Sequence, residues 1–238
     1  MKLICYLSNG YPSIADSIEM AKTYAEAGCD IIETDFPARN PFLESNYLAD
    51  RMRQALAVCD DYEQYMEGMI TAKKLLPDTT FILLVYEETV LEIGADRLLN
   101  FCINNGFKDM ILVGIKDEGI KNRLIEQGIR VSCYIQFHLL PEEIEQAKRS
   151  NGFVYMQGKP VNGAVHPSYP ALKDCITYLR DQGITMPIYC GVGIHTPEDV
   201  RMAREAGADG VFVGSAILKL HDDRPALFER IRRFKSEC

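Results

Sequence analysis

The constraint that narrows the fold most is a repeated alternation of short apolar runs with amphipathic stretches. The runs are Leu3–Leu7, Asp30–Thr34, Thr80–Tyr86, Asp109–Val113, Arg130–Ile135, Gly152–Met156, Pro187–Cys190 and Gly210–Val213. They are rich in Ile, Val, Leu and Tyr and mostly apolar throughout, the pattern of strands buried on both faces of a parallel sheet covered by helices. The segments between them carry helical spacing: Ile14, Ile18, Ala21 and Ala25 put apolar groups on one face of the first. Eight alternations are more than an open sheet usually needs and match the count of a closed (β/α)8 TIM barrel. The 238 residues suit such a barrel as a single α/β domain, residues 1–238, since barrels of this kind run to roughly 200–250 residues.

The turns agree. Gly28, Gly106, Gly128, Gly183 and Gly207 each precede a strand, where a helix would end in a left-handed residue that glycine adopts without steric penalty. Glu26-Ala27-Gly28-Cys29-Asp30 and Glu205-Ala206-Gly207-Ala208-Asp209 nearly repeat one another, as successive βα units do. Thr196-Pro197-Glu198-Asp199 reads as a helix start, with a threonine cap, proline in the first turn and acidic residues behind it.

Charge and cysteine usage exclude several classes of function. With 26 Lys+Arg against 34 Asp+Glu the net charge is −8, and no basic stripe offers nucleic acid an electrostatic footprint. No stretch approaches the ~18 apolar residues of a membrane span, and the run at Leu3–Leu7 is too short for a signal peptide. The eight cysteines are scattered without a C-x-x-C pair, so a reduced, cytoplasmic protein is expected, with no metal and no cofactor. His138, His166, His195 and His221 form no metal-binding pattern and no Ser-His-Asp triad. A small anion stays open, because backbone N–H groups hold phosphate without surplus positive charge.

In a barrel the chemistry lies where strands run into the following loops. Three glycine-bearing turns stand there: Gln157-Gly158-Lys159-Pro160-Val161-Asn162-Gly163, Gly191-Val192-Gly193-Ile194 and Gly214-Ser215-Ala216-Ile217. Any one of them could simply be a tight turn, but three in succession at adjacent strand ends read as a phosphate cradle. The second run continues as Glu33-Thr34-Asp35-Phe36-Pro37. A glutamate inside an apolar strand must face the lumen or be paired, and burial would make it a proton carrier near neutral pH. The competing reading for Glu33 is an ion pair with Lys159 or Arg39; for Glu44, in the loop that follows, it is a solvated surface carboxylate.

These residues resemble the tryptophan synthase alpha chain family, in order, through nearly the whole chain. Tyr6-Leu7-Ser8-Asn9-Gly10-Tyr11-Pro12 is similar to its first-strand segment ending in Gly-Asp-Pro. Asp30-Ile31-Ile32-Glu33-Thr34-Asp35-Phe36-Pro37 resembles its D-x-x-E-x-x-x-P signature, and Asn40-Pro41-Phe42-Leu43-Glu44 the D-P-x-A-D that follows. Gly152-Phe153-Val154-Tyr155 with Val161-Asn162-Gly163, Gly191–Glu198 and Asp209–Ile217 resemble its later glycine-rich segments. The resemblance implies retro-aldol cleavage of indole-3-glycerol phosphate to indole and glyceraldehyde 3-phosphate, and a β subunit as partner. It implies a catalytic role for Glu33, Glu44 and Tyr155, and a substrate pocket including Tyr6, Tyr86 and Val192. Phosphate is expected at Gly163, Gly193, Ile194, Gly214 and Ser215.

The chain departs from the family at several of these places. Glu44 is one methylene longer than the family's aspartate, Asn162 replaces a threonine, Val192 a phenylalanine and Tyr11 an aspartate. Glu88 stands where asparagine is usual and Ile115 where aspartate is usual, and the apolar run begins at Leu3 without the family's leading helix. Two alternatives to the family reaction therefore stand. One is a lyase or isomerase acting on another phosphorylated substrate without a β subunit; the other is a non-catalytic barrel that binds a phosphorylated ligand.

Overall fold

The structure is a computed structural model that describes residues 1–238. Its strands are β1 (Lys2–Leu7), β2 (Ile31–Asp35), β3 (Thr80–Tyr86), β4 (Asp109–Val113), β5 (Arg130–Val131), β6 (Cys133–Ile135), β7 (Val154–Gln157), β8 (Ile188–Gly191) and β9 (Gly210–Val213). The helices are α1 (Ile14–Glu26), α2 (Asn46–Val58), α3 (Tyr62–Leu75), α4 (Glu87–Ile93), α5 (Ala95–Asn105), α6 (Glu118–Glu126), α7 (Pro141–Arg149), α8 (Leu172–Asp181), α9 (Pro197–Glu205), α10 (Ser215–Leu218) and α11 (Arg224–Glu237). Strands alternate with helices and every ladder is parallel, the pattern of a (β/α)8 barrel. No helix is long and apolar enough to cross a membrane.

By packing, the chain divides into two compact units. One comprises Met1–Cys5, Ala27–Cys29 and Ser132–Cys238; its ladder runs β1-β9-β8-β7-β6. The other comprises Tyr6–Glu26 and Asp30–Val131, with the ladder β2-β3-β4-β5. The apolar run Arg130–Ile135, expected as one strand, is two: Arg130–Val131 pairs with β4 and Cys133–Ile135 with β7, leaving Ser132 in neither ladder.

In the second unit, β3 is buried at every position but Thr80, as a strand covered on both faces must be. On α1 the buried stripe is Ser17, Met20, Ala21 and Tyr24; of the face that the apolar spacing suggests, Ala21 is buried while Ile14, Ile18 and Ala25 are only half-buried. Hydrogen bonding draws the polar members inward. The Gly10 N–H donates to Ser17 Oγ at 2.7 Å, and Tyr24 Oη donates to the Tyr6 carbonyl at 3.2 Å. Ile14 is left to pack on Gly68 of α3, where a Cβ would come within 2.5 Å of its methyl.

In the first unit, the helix start at Thr196 forms as expected. The Thr196 side chain accepts from the Asp199 N–H, Asp199 answers the cap N–H, and Pro197 opens α9. The five glycines before strands all take positive φ, from 68° at Gly106 to 100° at Gly28.

Candidate active site

Strand β2 is the unusual element of its unit, because Glu33, Thr34 and Asp35 are all buried in a ladder whose neighbours are apolar. Side chains two apart share a face, so Glu33 and Asp35 point the same way. Asp35 is fully satisfied: Tyr6 Oη donates to Oδ2 at 2.8 Å and the Asn9 N–H to Oδ1 at 2.6 Å. Glu33 has no hydrogen-bond or ion-pair partner. The two cations that could have neutralised it are engaged elsewhere, Arg39 with Asp60 and Glu92, and Lys159 with Asp199.

The electrostatics follow from that geometry. Burial, then the charges of Glu44 and Asp35, hold the Glu33 carboxyl well above the usual carboxylate range. Burial pushes Asp35 up from 3.8 to about 7 against the pull of its Asn9 and Tyr6 hydrogen bonds. Tyr6 is raised as well, by burial and then by Asp35, Glu44 and Glu33. A carboxyl raised in this way and left without a partner holds its proton to higher pH than an exposed glutamate does, the disposition of a general acid.

Glu44 is not a solvated surface group. Its carboxylate receives the Tyr86 hydroxyl at 3.5 Å, and that hydroxyl accepts the Leu43 N–H at 3.2 Å. Burial raises the Glu44 carboxyl and the Tyr86 bond lowers it. Phe42 packs edge-on against the Tyr86 ring at 5.7 Å. Glu88, a family departure, anchors the same loop by accepting the Asn40 N–H at 2.8 Å. Tyr6, Glu33, Glu44 and Tyr86 thus fall in one unit, and Tyr155 and Val192 in the other. Asp35 was missed: it reads as an ordinary loop-entry residue, and its only signal is its two-residue spacing from Glu33.

The glycine turns belong to the other unit. Gly158 donates its N–H to the Gly191 carbonyl at 2.5 Å, and Gly193 lies so close to Lys159 that a Cβ there would meet the lysine Cβ at 2.8 Å. Lys159 reaches Asp199 Oδ1 at 2.5 Å, while Asp199 Oδ2 accepts the His195 and Thr196 N–H groups at 2.9 and 3.0 Å. Burial opposes ionisation of Asp199, but Lys159 and those two N–H groups outweigh it and hold the carboxyl low. The turns after β7 and β8 are thereby tied together. The N–H groups of Gly193, Ile194 and Gly214 make no hydrogen bond within the chain, nor do those of Ser215 and Ala216 at the start of α10, whereas Ile217 and Leu218 donate to the Gly214 carbonyl. Such donors suit an anion.

Ser215 and Ala216 also line an open cleft of about 370 Å³ with His195, Lys219, Leu220 and Arg230. Gly163 lies apart from these contacts, in an exposed turn closed by the Ala164 N–H on the Val161 carbonyl, with nothing near its would-be Cβ. Val192 takes φ +53°, a left-handed conformation that is strained for a β-branched residue. Tyr155 stacks on Phe212 at 4.5 Å, and its hydroxyl occupies the space where a side chain at Gly191 would begin, so that glycine is required by close approach.

A carboxylate placed among these donors should repel an anion. Ser215→Asp is expected to weaken binding of glyceraldehyde 3-phosphate about tenfold by calorimetry; unchanged affinity would put the anion site elsewhere.

Residues 1–234 match the family model described as tryptophan synthase alpha chain. The tryptophan synthase alpha chain of Methanosarcina barkeri is 26% identical over 240 residues, covering 99% of this chain and 89% of that one. That of Methanothermobacter thermautotrophicus is 28% identical over 232 residues, covering 93% of this chain and 85% of its own. Among solved structures, tryptophan synthase subunit alpha from Legionella pneumophila superposes with a TM-score of 0.84 at 22% identity, covering 99% of this chain and 92% of that one. A chain from Aquifex aeolicus VF5 does so with a TM-score of 0.87 at 23% identity and the same coverages. At these identities the structural likeness carries the barrel fold.

Proposed function

The chain belongs to the tryptophan synthase alpha chain family, and on that premise we propose that it is a carbon–carbon lyase that cleaves indole-3-glycerol phosphate to indole and glyceraldehyde 3-phosphate. The observation that carries the reading is Glu33, buried, without a partner, and with its carboxyl raised well above the usual range by burial and by Glu44 and Asp35. Glu33 gives its proton to the ring carbon that bears the glycerol chain. The ring becomes cationic, and Glu44 stabilises it by accepting the ring N–H. The Glu33 carboxylate then takes the proton of the adjacent hydroxyl. The carbon–carbon bond breaks, its electron pair returns to the ring, and the hydroxyl carbon leaves as the aldehyde. One proton is given and one recovered, so the enzyme ends as it began. The family resemblance assigns Tyr6 and Tyr86 of one unit, and Tyr155 and Val192 of the other, to the organic half of the substrate. The N–H groups of Gly193, Ile194, Gly214 and Ser215 hold the phosphate, and the family resemblance adds Gly163 from the turn after β7.

The reaction needs no metal or cofactor in this reading. The eight cysteines are free thiols, in keeping with a cytoplasmic setting. A β subunit is the partner that the family implies. The deciding experiment is indole release from indole-3-glycerol phosphate by the purified chain, with and without a β subunit. Release in either condition supports the reaction; none in both replaces it with a reaction on another phosphorylated substrate.

A further inference from the structure

Gln157 is a polar side chain 6% exposed at the end of β7, and both halves of its amide are used. Oε1 accepts the Phe137 N–H at 2.9 Å. A backbone N–H can only donate, so this bond fixes the amide's orientation. Nε2 must then donate to the Tyr134 hydroxyl, which it meets at 2.7 Å. With one lone pair occupied, the Tyr134 hydroxyl keeps a hydrogen for which the chain offers no acceptor.

That hydrogen is well placed to meet a ligand. Tyr134 is 43% exposed, pairs in register with Tyr155, and lies 5.8 Å from it ring to ring. Tyr155 and Gln157, two apart on β7, share that face. The buried glutamine thus holds an accessible hydroxyl beside a tyrosine of the proposed pocket, with its donor direction set in advance.

We infer that Tyr134 is a specificity-determining residue that donates a hydrogen bond to a hydroxyl oxygen of the substrate's glycerol chain. This rests on the proposed reaction. The phosphate oxygens are met by backbone N–H groups, and indole offers a ring N–H but no acceptor oxygen. The glycerol hydroxyls are the acceptors that remain. Gln157 acts as the positioning residue behind Tyr134. A substrate without those hydroxyls leaves the donor without a partner, which is how a built polar site rejects an analogue that lacks the matching group.

The test compares Tyr134→Phe with wild type on two ligands that differ only in the hydroxyls, indole-3-glycerol phosphate and indole-3-propanol phosphate. Loss of one neutral hydrogen bond should lower kcat/KM and affinity for the glycerol compound about threefold to tenfold, and leave affinity for the propanol compound within twofold. Gln157→Leu should give a smaller loss on the glycerol compound and none in the Tyr134→Phe background. Thermal midpoints recorded alongside separate this from a loss of folding. Cleavage by wild type with equal losses on both ligands, or with no loss, overturns the inference and leaves the reaction standing. Absence of both cleavage and binding in wild type overturns the two together.

Discussion

Glu33→Gln is expected to abolish indole release, lowering kcat by about three orders of magnitude, within the 10²–10⁴ range of general acid–base catalysis. Affinity for glyceraldehyde 3-phosphate should stay within twofold. Glutamine keeps the shape and removes the proton. Because Glu33 has no hydrogen bond or ion pair to lose, the variant should fold at least as stably as wild type. A structural carboxylate predicts the reverse, loss of stability with activity following it. Turnover near the wild-type rate would remove the mechanism. The pH profile adds a sign: activity needs the Glu33 proton, so kcat should fall on the alkaline side, above the raised Glu33 range.

The strands, the glycine C-caps and the Thr196 helix start were legible because each is local. Buried parallel strands are apolar throughout, left-handed turns select glycine, and a cap spans only four residues. Glu33 was legible for the same reason, as a carboxylate in an apolar run. What did not show was set by distance along the chain. Lys159 pairs with Asp199 forty residues on, and Arg39 with Asp60 and Glu92, so a sequence reader sees spare cations beside Glu33 where the fold leaves none. Tyr11, read as a departure, lies beneath the Arg51 guanidinium at 3.8 Å, a contact invisible from its own neighbours. The break at Ser132 also escaped notice, because an apolar run does not reveal that its two ends join different ladders.

Asp35 makes stability depend on pH in a direction opposite to that of a salt-bridged carboxylate. Its carboxyl ionises near 3.8 when exposed and near 7 when folded. Between those values the folded chain keeps a proton that the unfolded chain has released. Stability should therefore be highest below about pH 4, as far as this group is concerned, fall as the pH rises toward 7, and level off above it. A rise of that size corresponds to about 4 kcal/mol across the window. Glu33 and Glu44 lean the same way.

Asp35→Asn removes the titration while keeping an oxygen for the Asn9 N–H, and its amide can donate to the Tyr6 hydroxyl. The variant should match wild type to within about 1 kcal/mol at about pH 3.5 and exceed it by a few kcal/mol at pH 8, measured by urea unfolding at both values. Parallel stability curves would show that Asp35 is ionised in the folded chain at neutral pH. Its charge would then be compensated by Tyr6 and Asn9 alone, and its place beside Glu33 would carry no proton.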